Sequence, residues 1–75
     1  NIQRIAIVHI QSRDRFTING TPVPLEHLQT QLRQHFADGK DRAVIVPRPG
    51  ATVADLTRAL TIARQIPFTT INVSR

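Results

Sequence analysis

The chain contains no cysteine, methionine, tryptophan or tyrosine. Without cysteine there can be no disulfide, no thiolate zinc site and no cysteine nucleophile. The only aromatics are Phe16, Phe36 and Phe68. A nucleic-acid platform that interleaves strand aromatics with basic residues therefore has little to draw on. Long apolar runs are missing too. The longest, Ile5 to Val8, is far too short to cross a bilayer. Acidic residues are scarce, with five Asp+Glu against ten Lys+Arg, for a net charge of +5 and a pI of about 11.7. That balance favours anionic partners and says nothing about fold. Position 1 is asparagine, not methionine, so the expectation is that the chain is an excised piece of a longer protein. No stretch within these residues is expected to be a signal peptide.

What is present suits one small domain. Seventy-five residues at 40% hydrophobic content is neither a disordered nor a membrane-spanning composition, and it is close to the size at which a single core becomes marginal. No internal repeat, low-complexity stretch or linker interrupts it. Ile2 to Ile10 is rich in Ile and Val and predicts a strand. Its two faces, Ala6-Val8-Ile10 and Ile5-Ile7-His9, are both largely apolar, so both sides should be covered. Ser12-Arg13-Asp14 is turn-like. Arg15 to Ile18 alternates like a half-buried strand. Asn19-Gly20 supplies the positive φ of a type I′ hairpin turn, and Thr21 to Val23 returns from it. Pro22, lacking an N–H, favours an edge position there.

Pro24 then opens a helix whose narrow apolar face is Leu25, Leu28, Leu32 and Phe36, with Gly39 as its stop. Ala43 to Val46, ended by Pro47, is a short apolar run that suits a buried strand, although periodicity alone fits a helix as well. Thr52 and Asp55 have capping-box spacing. They begin a second helix running to about Gln65, with Val53, Leu56, Leu60 and Ala63 on its apolar face and Ala59 beside it. Pro67 ends it. Phe68 to Val73 is the last strand, with Ile71 and Val73 on one face and Phe68, Thr70 and Asn72 on the other. The expected fold is α+β, a small mixed β-sheet with two helices on one face in the order β-β-β-α-β-α-β. The β-α-β unit from Ala43 to Val73 should be parallel and right-handed. The other sheet face would be open or covered by another chain.

Convergent chemistry is sparse. His27 and His35 lie eight residues apart on one helix, too far to share a metal, and the tighter spacing of three or four is absent. His9 sits on an otherwise apolar strand, as a satisfied or interface histidine does. Asp14, Glu26, Asp38, Asp41 and Asp55 fall mostly at turns and helix starts, where capping and solvation account for them. There is no G-x-S-x-G or P-loop. The expectation is a non-enzyme with no cofactor and no metal. The arginines are scattered through every segment, which suits a solvated surface better than a nucleic-acid footprint. An anionic polymer with spaced carboxylates, such as a cell-wall glycan peptide, fits that surface about as well.

Taken together, the run Phe16-Thr-Ile-Asn-Gly-Thr-Pro-Val-Pro-Leu-Glu-His-Leu28 resembles the ExbD/TolR family. There a strand, a tight turn and a short strand lead into the first helix of the periplasmic domain. Asp41-Arg-Ala-Val-Ile-Val46 is similar to the family's next strand, and Leu56 to Val73 to its second helix and closing strand. The chain departs at Pro47-Arg-Pro-Gly-Ala-Thr-Val53, where relatives carry an acid and an aromatic, and at Pro67, where a glycine is common. The resemblance implies a bacterial inner-membrane protein with one transmembrane helix and this domain in the periplasm. It implies an ExbB/TolQ-like membrane partner and use of the proton-motive force to energise a TonB- or TolA-like protein. The proton-carrying aspartate belongs to the transmembrane helix, so no residue of this sequence takes that role. The domain itself would be a homodimer and, in TolR-like members, a peptidoglycan binder. Ile5, Ile7 and His9, or the edge at Phe68, Thr70 and Asn72, are the expected dimer or partner contacts. Arg13, Arg15 and Arg48 are those for an anionic partner. The rival expectation is a small basic αβ nucleic-acid-binding domain.

Overall fold

The structure, a computed structural model, describes residues 4–12 and 15–74. Its elements are β1 (Ile5–Ser12), β2 (Arg15–Ile18), β3 (Thr21–Pro24), α1 (Leu25–Ala37), β4 (Arg42–Pro47), α2 (Val53–Arg64) and β5 (Thr70–Val73). The fold is α+β: one five-stranded mixed sheet in the order β3-β2-β1-β4-β5, with two helices, and element order β-β-β-α-β-α-β. The doubly apolar β1 takes the central place, antiparallel to β2 and parallel to β4. Ile2 and the turn residues Arg13 and Asp14 lie outside the described residues.

The hairpin explains the first half. Asn19 and Gly20 have φ of 50° and 88°, as a type I′ turn requires. Ile18 pairs with Thr21, Thr17 with Pro22, Phe16 with Val23 and Arg15 with Pro24. In a two-residue hairpin the flanking pair exchanges hydrogen bonds and the next pair does not. Pro22 and Pro24 therefore turn their donorless nitrogens outward along the sheet edge. Asn19 does more than turn the chain. Its N–H donates to the Ile7 carbonyl at 2.9 Å, and its side-chain Oδ1 accepts from the Ile7 N–H at 2.8 Å. The amide side chain thus stands in for one more residue of strand pairing.

The crossovers β3-α1-β4 and β4-α2-β5 both join parallel strands and both travel across the sheet in the same direction. With the usual right hand, both helices fall on one face. The core agrees. Ala6, Val8, Ile10, Phe16, Ile18, Val23, Ala43 and Ile45 are buried from the sheet, against Leu28 and Leu32 of α1 and Ala59 and Ala63 of α2. Helix α1 ends in a Schellman arrangement. Gly39 (φ 101°) donates to Phe36 and Lys40 donates to His35.

Helix α2 begins with the expected capping box. The Asp55 N–H donates to Thr52 Oγ1 at 3.1 Å and the Thr52 N–H to Asp55 Oδ2 at 3.2 Å. Its buried face differs from the expected one. Val53 is 81% exposed, and the face turned to the sheet is built on Asp55, Ala59 and Ala63, with Leu56 and Leu60 half-buried beside it. At 100° per residue, Val53 lies beyond Leu56 on the side away from the alanines. Small alanines bring the helix axis close to the sheet, and the larger leucines pack to one side. The last strand is shorter than expected. It begins at Thr70, because Phe68 turns inward and packs edge-on against Phe36 with ring centroids 5.6 Å apart.

Candidate docking surface

Strand alternation puts the other residues of β1 and β4 on the face that the helices do not cover. Pairing aligns them into rows. Pro22, Thr17, His9 and Val46 lie side by side across four strands; Ile7, Val44 and Asn72 form the next row; Ile5, Arg42 and Thr70 form a third. Ile5, Ile7, His9, Thr17, Val44 and Val46 are half-buried, while Pro22, Arg42, Thr70 and Asn72 are exposed. The result is an aliphatic band along the two central strands with a histidine within it.

Of the expected contact residues, the structure brings Ile5, Ile7, His9, Thr70 and Asn72 onto this one face. Phe68 does not join them. It is 9% exposed, part of the core under the helices, and unable to offer a contact at the edge without dismantling its packing on Phe36. Val44, Val46 and Arg42 belong to the face but were not singled out from sequence. The signal was there: in a parallel neighbour of β1, the residues alternating with Ala43 and Ile45 must share the face of Ile5 and Ile7.

Charge is distributed unevenly. Arg42 stands at one end of the band. Arg15 and Arg48 stand at the other, both exposed. The Arg48 N–H donates to the Ile10 carbonyl at 2.9 Å, which fixes the loop after β4 against β1. Two hollows of about 510 Å³ each contain one of these arginines. One is lined by Arg15, Thr17, Pro22 and neighbouring residues, the other by Val46, Pro47, Arg48 and Pro49. The acids among the described residues lie elsewhere: Glu26 and Asp55 in the first turns of the helices, Asp38 and Asp41 in the loop between α1 and β4. Arg13 lies outside the described residues. All three phenylalanines are accounted for on the helix side, since Phe16 and Phe68 are core residues and Phe36 is in α1.

Little else in the molecule is chemically charged for a task. Among the described residues, no group of His, Asp or Glu is placed to hold a metal ion, and no helix is long and apolar enough to cross a membrane. His35 Nδ1 and Asp41 Oδ1 are buried without a protein hydrogen-bond partner. The His35 pKa is pushed below the ordinary 6.5, first by burial and then by nearby Lys40, with Asp38 pulling the other way.

The sheet also has unlike edges. On β3 the outward positions are Pro22 and Pro24. On β5, Ser74 donates to the Ile45 carbonyl at 2.8 Å, so by alternation the Val73 N–H points away from the sheet. Thr70-Ile71-Asn72-Val73 carries no lysine, proline or other edge-blunting residue, and Val73 is 44% exposed. No family model matches the chain, and no curated protein is significantly similar to it.

Proposed function

We propose that this chain is a non-catalytic docking module, the periplasmic domain of an ExbD/TolR-like inner-membrane protein. In that role it helps couple the proton-motive force to a TonB- or TolA-like transducer, by dimerising and by holding a protein partner or peptidoglycan. The observation that carries the docking reading is the one-sided helix layer, which leaves an aliphatic sheet face and an unblocked edge strand on the same molecule. The family part rests on the sequence resemblance, which spans the hairpin, its run into α1, and the β4-α2-β5 unit. Self-association belongs to the β5 edge, where backbone groups are available and no proline intervenes.

Sedimentation velocity at high protein concentration tests this. A dimer is expected, and Val73→Pro should return it to a monomer, since proline at an outward edge position removes a donor without disturbing the sheet. A strictly monomeric wild-type domain would overturn the dimer. The residues encoded upstream of Asn1 test the family: about twenty apolar residues with one aspartate among them are expected, and their absence would overturn membrane anchoring. Co-sedimentation with purified peptidoglycan that weakens as salt rises would assign the wall as a partner.

Nucleic-acid binding is the second reading, favoured by the exposed arginines on an open sheet. Opposing it, the face has no phenylalanine, tyrosine or tryptophan on which a base could stack, and His9 is half-buried within the aliphatic band. Fluorescence anisotropy with mixed oligonucleotides at low salt separates the two. Tight binding that falls steeply with salt would favour nucleic acid.

A further inference from the structure

We infer that the open sheet face receives an acidic amphipathic helix from a partner protein, its aliphatic stripe on Ile7, Val44 and Val46 and its carboxylates on the arginines at the two ends of the band. The partner chemistry deepens the docking reading above and does not depend on the family resemblance.

The face states its complement. Ile5 and Ile7 on β1 register with Arg42 and Val44 on β4, so the band is continuous across the central strands. Arg42 opens β4 and Arg48 directly follows its last residue, six positions apart and therefore roughly 20 Å in extended chain. A helix of about 13 residues covers the same length. One apolar stripe with glutamates or aspartates at both ends would therefore satisfy the band, with Arg42 at one end and the two arginine-lined hollows at the other. This sheet already packs helices on its other face through the same alternation of β1 and β4.

Other occupants fit less well. A second copy packed face to face with its strands aligned would bring arginines against arginines, with none of the described acids on the face to relieve them, and like charges across an interface carry a penalty. A glycan or a base would want an exposed aromatic platform to stack on, and the face offers only the half-buried imidazole of His9. A lipid surface is reached by long apolar or aromatic side chains that project, whereas the isoleucines and valines here are β-branched and half-buried.

The test uses the isotope-labelled domain and a synthetic peptide of about 16 residues, long enough to cover the band. It has leucines at i, i+3, i+4 and i+7 and glutamates at both ends. A control peptide has the same leucines with lysines in place of the glutamates. Amide shifts from the acidic peptide should map to β1 and β4 and leave the helices unmoved, while the lysine peptide should bind at least tenfold more weakly. The double variant Arg42→Glu and Arg48→Glu should reverse that preference, with unchanged spectra for the covered face showing that it remains folded. Equal binding of both peptides, or shifts that map to α1 and α2, would overturn the proposal. So would concentration-dependent shifts at Ile7 and Val44 without peptide that Ile7→Glu abolishes, because a second copy would then own the face. A dimer lost with Val73→Pro tests the edge alone, so the two readings fail separately.

Discussion

The two faces of this sheet are built from the same strands and differ by one position in the chain. Ala6, Val8, Ile10, Ala43 and Ile45 are buried beneath the helices. Ile5, Ile7, Val44 and Val46, their immediate neighbours, are only half-buried. Composition does not separate them, since both sets are aliphatic. What separates them is coverage, and coverage follows from two crossovers of one hand travelling in one direction. An aliphatic residue in a central strand is therefore not evidence of a core on both sides. On the second side it marks a surface that gains by being covered.

The largest test of that difference is a matched pair of truncations. Ile45→Ala should lower the unfolding free energy by about 2–5 kcal/mol. Val44→Ala, one residue away, should cost no more than about 1 kcal/mol. Urea unfolding followed by circular dichroism measures both, and equal losses would break the comparison. Next is the register that keeps each set on its own face, because a slip of one residue would exchange them. Asn19 guards it. Asn19→Gly keeps the positive φ and should lose about 1 kcal/mol with the Ile7 hydrogen bond. Asn19→Ala should lose about 1–2 kcal/mol more through left-handed strain, read in the same unfolding series.

A smaller effect is expected in the helix layer itself. Thr52→Ala removes the acceptor for the Asp55 N–H and should cost about 1 kcal/mol. Exchange protection should fall in α2 while β1 and β2 stay protected. The smallest is pH-dependent and lies at the end of α1. The fold favours neutral His35, so the unfolded chain takes up the proton first as pH falls. Stability is full above the ordinary value of 6.5 and declines as pH drops through it toward the lower folded value. His35→Gln should flatten that decline, seen as a smaller shift in the urea midpoint between about pH 7.5 and pH 5.5.

How much of this was legible depended on how local each signal was. Asn19-Gly20, Pro22 and the Thr52-Asp55 pair act within a few residues, and the structure keeps each in its expected place. The exposure of Val53 was not legible. Helical spacing places a stripe, but which flank of it faces the sheet depends on how closely the helix approaches, and Ala59 and Ala63 decide that. Phe68 was misplaced for a related reason. Alternation assigns a face only inside a strand, and the chain is still turning after Pro67. The Asn19 side chain's bond to Ile7 spans twelve residues and leaves no mark in local pattern. The docking surface was half legible. The β1 residues announced themselves, while Val44, Val46 and Arg42 needed the parallel pairing to be seen beside them.

The prolines of β3 carry a consequence for stoichiometry. A sheet that offers donors on both edges can add copies without limit, and an open head-to-tail contact of that kind grows into fibres. Here Pro22 and Pro24 leave one edge without outward donors, so strand-to-strand growth can proceed only from β5. When two copies meet there through a two-fold axis, each uses its remaining edge on the other and presents prolines at both outer margins. Association by that route stops at two.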